Sequence, residues 1–116
     1  IEGRGFTITM AEGGLLMVQK NISVTTNSGA KSKMRRETKD LLKDIIENGY
    51  ADLGEYDVIT ISFVSDNFTD PYGNKVTLAT GYYSFEEDTI QKITDIDKIN
   101  VDKLATSHGA SSLFRY

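Results

Sequence analysis

The chain has no cysteine, no tryptophan, one proline and one histidine. Without thiols it cannot form a cysteine-ligated zinc site, an iron–sulfur cluster, a disulfide or a thiol nucleophile. No apolar run reaches the roughly 18 residues that mark a membrane-spanning helix. A basic excess is missing too: 13 Lys and Arg stand against 17 Asp and Glu, for a net charge of -4. Proteins that grip phosphate backbones usually carry the opposite balance, so nucleic-acid binding is set aside. One proline and no low-complexity stretch exclude a linker or a disordered segment. No Gly-x-Gly-x-x-Gly motif follows a predicted strand, and no Gly-Lys-Ser/Thr occurs, so no phosphate loop is expected.

What remains is the composition of an ordinary folded domain, with 39% hydrophobic and 26% charged residues. Ile1-Glu2-Gly3-Arg4 matches the recognition sequence of a processing protease used to remove purification tags. Residues 1–9 therefore read as a tag or vector remnant, 10–106 as a single α+β domain and 107–116 as a C-terminal tail. Met10 is then either a native start, which implies a cytoplasmic protein, or an added start behind which a signal or anchor was removed.

The pattern predicts one long amphipathic helix packed on a small, mostly antiparallel sheet, in the order β-α-β-β, followed by short helices. Leu16, Val18, Ile22 and Val24 share one parity of a strand over Leu15 to Thr25, the period of a half-buried strand. Met34, Thr38, Leu41, Leu42, Ile45 and Ile46 form one stripe of a helix over Lys31 to Asn48, with Gly49 placed as a left-handed cap. Ile59, Ile61 and Phe63 share a face of the next strand. Asp70-Pro71-Tyr72-Gly73 has the residues of a type I turn, and the return arm carries Val76, Leu78 and Tyr82 on one parity. Ser84 and Glu87 have capping-box spacing before a short helix to Ile93, and Asn100 is placed to cap another through Ala105.

The helix start concentrates Lys31, Lys33, Arg35, Arg36 and Lys39, while Asp40, Asp44 and Glu47 follow. This order opposes the helix macrodipole, which favours acids at the start and bases at the end. The cluster is a candidate site for an anion, an acidic partner or an anionic surface, set against the simpler role of a solvated face. Tyr72 at the hairpin tip and Tyr82-Tyr83 in the return arm are candidate recognition residues, since tyrosine combines an apolar body with a polar tip.

No catalytic constellation emerges. His108 lies in a Gly- and Ser-rich tail with Ser107 and Ser111 nearby, without the rigid nucleophile turn that a triad needs. Glu86 and Glu87 are adjacent and should diverge. The stretch from Asp95 to Asn100 resembles the opening of a calcium loop, but Ile99, Asn100 and Thr106 occupy its fifth, sixth and twelfth positions. Asp66, Asn67, Thr69 and Asp70 are read as turn chemistry rather than a cation site. No cofactor and no metal are expected, and the chain reads as a non-enzyme.

Tyr56-Asp57-Val58-Ile59, entered just after an amphipathic helix, resembles small exported or lipoprotein-type α+β domains of Gram-positive bacteria, some of which accompany conjugative transfer. The likeness spans about Leu15 to Ile93. It implies an extracytoplasmic or cell-envelope interaction domain with a protein partner, and it departs from the lipoprotein pattern in lacking the anchor cysteine. Two other functions fit the same pattern: a small-ligand or anion-binding domain, and a homo-oligomeric structural component joined through a sheet edge.

Overall fold

The computed structural model describes residues 5–48 and 56–111. Its elements are β1 (Thr7–Glu12), β2 (Leu15–Asn21), α1 (Asn27–Asn48), β3 (Val58–Thr69), β4 (Lys75–Glu86), α2 (Glu87–Gln91), a 3-10 turn (Ile96–Lys98), α3 (Val101–Leu104) and β5 (Ser107–Ala110). The fold is α+β. One five-stranded sheet runs in the order β1-β2-β3-β4-β5. The pairing is antiparallel except between β2 and β3, which are parallel. That exception follows from α1, because a helix between two neighbouring strands returns the chain in the starting direction.

The expected β-α-β-β order is therefore extended by a strand at each end. At the start, Gly13 and Gly14 adopt φ of 61° and 78°, the positive values that a two-residue hairpin turn requires. They fold β1 back onto β2, so Thr7 to Thr9, inside the span read as a vector remnant, belong to a strand. Phe6 is 2% exposed and meets Phe63 edge-on at 6.0 Å between ring centroids. At the other end, Ser107–Ala110 is a strand rather than an extended tail. It has no apolar alternation to announce it and is held by backbone pairing to β4.

One face of the sheet is the core. Leu16, Val18, Ile59, Ile61, Phe63, Tyr83 and Phe85 meet the α1 stripe of Met34, Leu41, Leu42 and Ile45, and all are buried. The stripe matches its expected positions, with Thr38 buried as well and Ile46 at the margin. Burial of such side chains is worth about 1.5–3 kcal/mol each and is the main source of stability. The helix begins earlier than its apolar pattern, because the Thr26 hydroxyl accepts the Gly29 amide at 2.9 Å and caps the first turn. Gly49 lies outside the described residues.

Two local expectations change. The return arm does not turn Val76, Leu78 and Tyr82 inward: Leu78 and Tyr82 are exposed, and Thr80, Tyr83 and Phe85 are buried. A register shift between Phe63 and Val64 inserts an extra residue opposite them. This irregularity lets the Ser65 and Thr80 hydroxyls pair at 2.6 Å inside the core. The predicted capping box is also absent. Glu86 is the N-cap residue of α2 and makes no side-chain cap bond, while Ser84 Oγ sits 2.7 Å from Thr60 Oγ1 across the strands. The hairpin turn forms as expected. Gly73 N donates to Asp70 O, and Asp70 Oδ1 accepts the Tyr72 and Asn74 amides at 2.9 and 2.8 Å.

Candidate functional site

The basic helix start divides into three environments. Lys33 Nζ donates to the Ser23 carbonyl at 3.0 Å and pins the loop before the helix. Lys39 Nζ donates to the Asp97 carbonyl at 2.9 Å and ties the 3-10 turn to α1. Arg35 faces Asp102, with Nε 3.3 and 3.1 Å from its two carboxylate oxygens and a terminal nitrogen 3.0 Å from one of them. Lys31 and Arg36 are exposed and have no ion-pair partner among the described residues.

Asp102 is the centre of this arrangement. Asn100 Oδ1 accepts the Asp102 and Lys103 amides, capping α3 and presenting the Asp102 carboxylate toward α1. The Tyr83 hydroxyl donates to Asp102 Oδ1 at 2.6 Å. Burial alone would raise the Asp102 carboxyl, but hydrogen bonds from Tyr83 and Arg35 and the Arg35 charge outweigh it and hold the group below its ordinary range. Burial, then the bond to Asp102, pushes the Tyr83 phenol above its ordinary value. His108 on β5 stacks on the Tyr83 ring at 5.5 Å and 12° between planes.

Two adjoining clefts open around this centre and share Arg35 and Asp102. The larger, about 530 Å³, runs between Arg35, Arg36 and Lys39 on one side and Ile99, Asn100 and Val101 on the other. The smaller, about 210 Å³, is lined by Lys31, Met34, Tyr83, His108, Gly109 and Ala110. The structure thus brings together Lys31, Arg35, Arg36 and Lys39 with Tyr83, and leaves Lys33 apart. Asp102 and His108 join a site that the sequence did not assign to them. The Asn100-x-Asp102 cap was the available signal for the first, but nothing local to His108 announces a strand.

The tyrosines separate. Tyr83 is buried on the helix side, Tyr72 is 89% exposed at the hairpin tip, and Tyr82 lies on the opposite face of the sheet. Among the described residues no helix covers that opposite face. Its two central rows, read across the strands, are Met10, Met17, Thr60, Ser84, Ser107 and Thr7, Gln19, Ser62, Tyr82, Gly109. None of these residues is charged at neutral pH. A shallow groove of about 520 Å³ crosses the face over Met17, Gln19, Ser62, Val64, Ala79 and Tyr82.

Asp95 and Asn100 of the calcium-like stretch act as caps: Asp95 Oδ1 accepts the Asp97 amide at 3.1 Å, and Asn100 is the N-cap of α3. Asn67 clamps the chain after β2, donating to the Val24 carbonyl at 2.7 Å. Among the described residues no group of acids and histidine is placed to hold a metal ion. No helix among them is long and apolar enough to cross a membrane. No protein-family model, curated protein or solved structure matches the chain.

Proposed function

We propose that this chain is a non-enzymatic protein-interaction domain whose working surface is the open face of its sheet. The observation that carries the reading is the uncharged character of that face. In a chain with 26% charged residues, ten side-by-side positions on an uncovered sheet hold none. The water-facing side of a sheet is ordinarily polar, and on most protein surfaces charged residues are part of that polarity. Depletion of charge, with Met and Tyr present, is the compositional mark of an interface core. The occupant that fits is another protein laying a flat, uncharged surface across the groove, as one sheet packs on another.

The residues able to do chemistry are engaged elsewhere. Asp102 holds Arg35 and Tyr83, and His108 stacks on a buried ring. Their bonds join β4, β5, α1 and α3 and support a structural role. A place outside the cytoplasm, in a bacterial cell envelope, rests on the pattern resemblance of the sequence.

The test is a photo-crosslinking residue at Tyr82, with the more exposed Tyr72 as the control, in cells of the source organism. The reading expects a discrete product from Tyr82, none from Tyr72, and competition by unlabelled protein but not by Thr60→Lys/Ser62→Lys. Absence of a Tyr82-specific product sinks it.

One observation favours a second reading, in which the partner is another copy. β1 is an edge strand exposed along its length, and Thr7 to Ala11 offer no charge against pairing. Light scattering that finds a dimer in the wild type and a monomer in Thr9→Lys selects that reading.

A further inference from the structure

We propose that the paired clefts between α1 and α3 form a second binding site, for an acidic peptide segment that also carries apolar side chains. The site lies on the helix side of the sheet and does not depend on the open-face reading. Its linings hold Lys31, Arg35, Arg36 and Lys39 against the single carboxylate of Asp102. This is a local excess of positive charge on a protein whose net charge is -4.

Folding does not account for this excess. The first turn of α1 contains no acidic residue, and the cations that follow lie beyond it, where the helix dipole gives them no part in capping the helix. Asp102 neutralises Arg35, and Lys39 meets only an uncharged carbonyl. Lys31 and Arg36 project into solvent with no partner among the described residues. Cations with no partner among the described residues are suited to bonds with something outside the domain.

The shape of the site narrows the ligand. The bidentate contact with Asp102 fixes the Arg35 guanidinium, which lines both clefts. Ile99 and Val101 line the wall opposite the cations of the larger cleft, and Met34 and Ala110 line the smaller, so each lining combines charge with apolar surface. A bare phosphate or carboxylate would use only the cations. An extended peptide with alternating carboxylates and apolar side chains would use both, spanning from Lys31 to Lys39.

The experiment is fluorescence anisotropy with a short labelled peptide alternating Glu and Leu. A matched Lys/Leu peptide is the control, and inorganic phosphate is the competitor. Lys31 and Arg36 are exposed and have no partner among the described residues, so Lys31→Glu/Arg36→Glu should fold normally, as circular dichroism will verify. The proposal expects saturable binding of the acidic peptide alone and weakening by about tenfold or more in the double variant. It also expects loss of affinity with rising salt and little displacement by millimolar phosphate. Lys75→Glu, a single reversal remote from the clefts, should bind as the wild type does. No binding, equal binding of both peptides, or an unchanged double variant overturns the proposal. Full displacement by phosphate overturns it in favour of a small-anion site.

Discussion

The Tyr83 hydroxyl donates a 2.6 Å hydrogen bond to Asp102 Oδ1 and so links the fourth strand to the third helix. The same carboxylate holds Arg35 of the first helix. One acid therefore ties three elements together at the mouth of the clefts, and its titration should be felt in stability.

The sign differs at the two ends of the pH scale. The Asp102 carboxyl lies below its ordinary value, so its contribution is present above about pH 4 and is lost as pH falls through the folded value. The Tyr83 phenol is raised, so its contribution is present below about pH 10 and is lost as pH rises further. Urea midpoints measured from acid to alkali should give Tyr83→Phe a deficit of about 1–2 kcal/mol at neutral pH, with a shallower alkaline decline. Asp102→Asn should flatten the acid limb. An unchanged acid limb in that variant would contradict the geometry.

Phe6 offers a test at the start of the chain. It is buried against Phe63, and the Lys20 ammonium lies 5.4 Å above its ring. Phe6→Ala should lower stability by about 3–5 kcal/mol, the range for deleting a buried aromatic ring. Thermal unfolding by circular dichroism will decide. A change under about 0.5 kcal/mol, as expected of an exposed surface position, would mean that this segment does not pack as described.

Gly81 makes a close crossing possible. A Cβ there would lie 2.5 Å from the Gly109 carbonyl and 2.6 Å from Met34 Sδ. Gly81→Ala should cost about 1–3 kcal/mol by overpacking, and Met34→Ala in the same chain should relieve the part owed to the sulfur while the clash with the Gly109 carbonyl remains. The double-mutant cycle is the measurement, and additive losses would argue against contact.

Asn67 holds the loop after β2 through both atoms of its amide, at 2.7 and 3.4 Å from Val24. Asn67→Ala should destabilise by about 1 kcal/mol and speed amide exchange at Val24. Asn67→Asp, which keeps the acceptor and loses the donor, should recover only part of the loss.

The elements legible in the sequence are those whose burial repeats with the backbone. The α1 stripe from Met34 to Ile45 and the Ile59, Ile61, Phe63 face were readable because each apolar residue returns at the helical or strand period. The Asn100 cap and the Asp70 turn were readable because their side chains bond to nearby backbone. β1 and β5 were hidden for the opposite reason: they are edge strands, largely exposed, held by backbone pairing to β2 and β4 rather than by a buried face of their own. The inward turn of Tyr83 rather than Tyr82 depends on the irregularity near Gly81, which no period-2 count can anticipate. For the site, the cations were visible as a run, but Asp102 is far from Arg35 in sequence and meets it only in the folded chain.

The parallel seam between β2 and β3 sets the order in which this protein can assemble. The β1–β2 and β3–β4 hairpins each close across a short turn and can form early. Their union needs the whole segment from Ile22 to Asp57, with α1 inside it, to loop back first. The molecule is in this sense two zippers joined by a clasp. The clasp is also the place where two chains at high concentration could exchange halves, each lending its first hairpin and helix to the other.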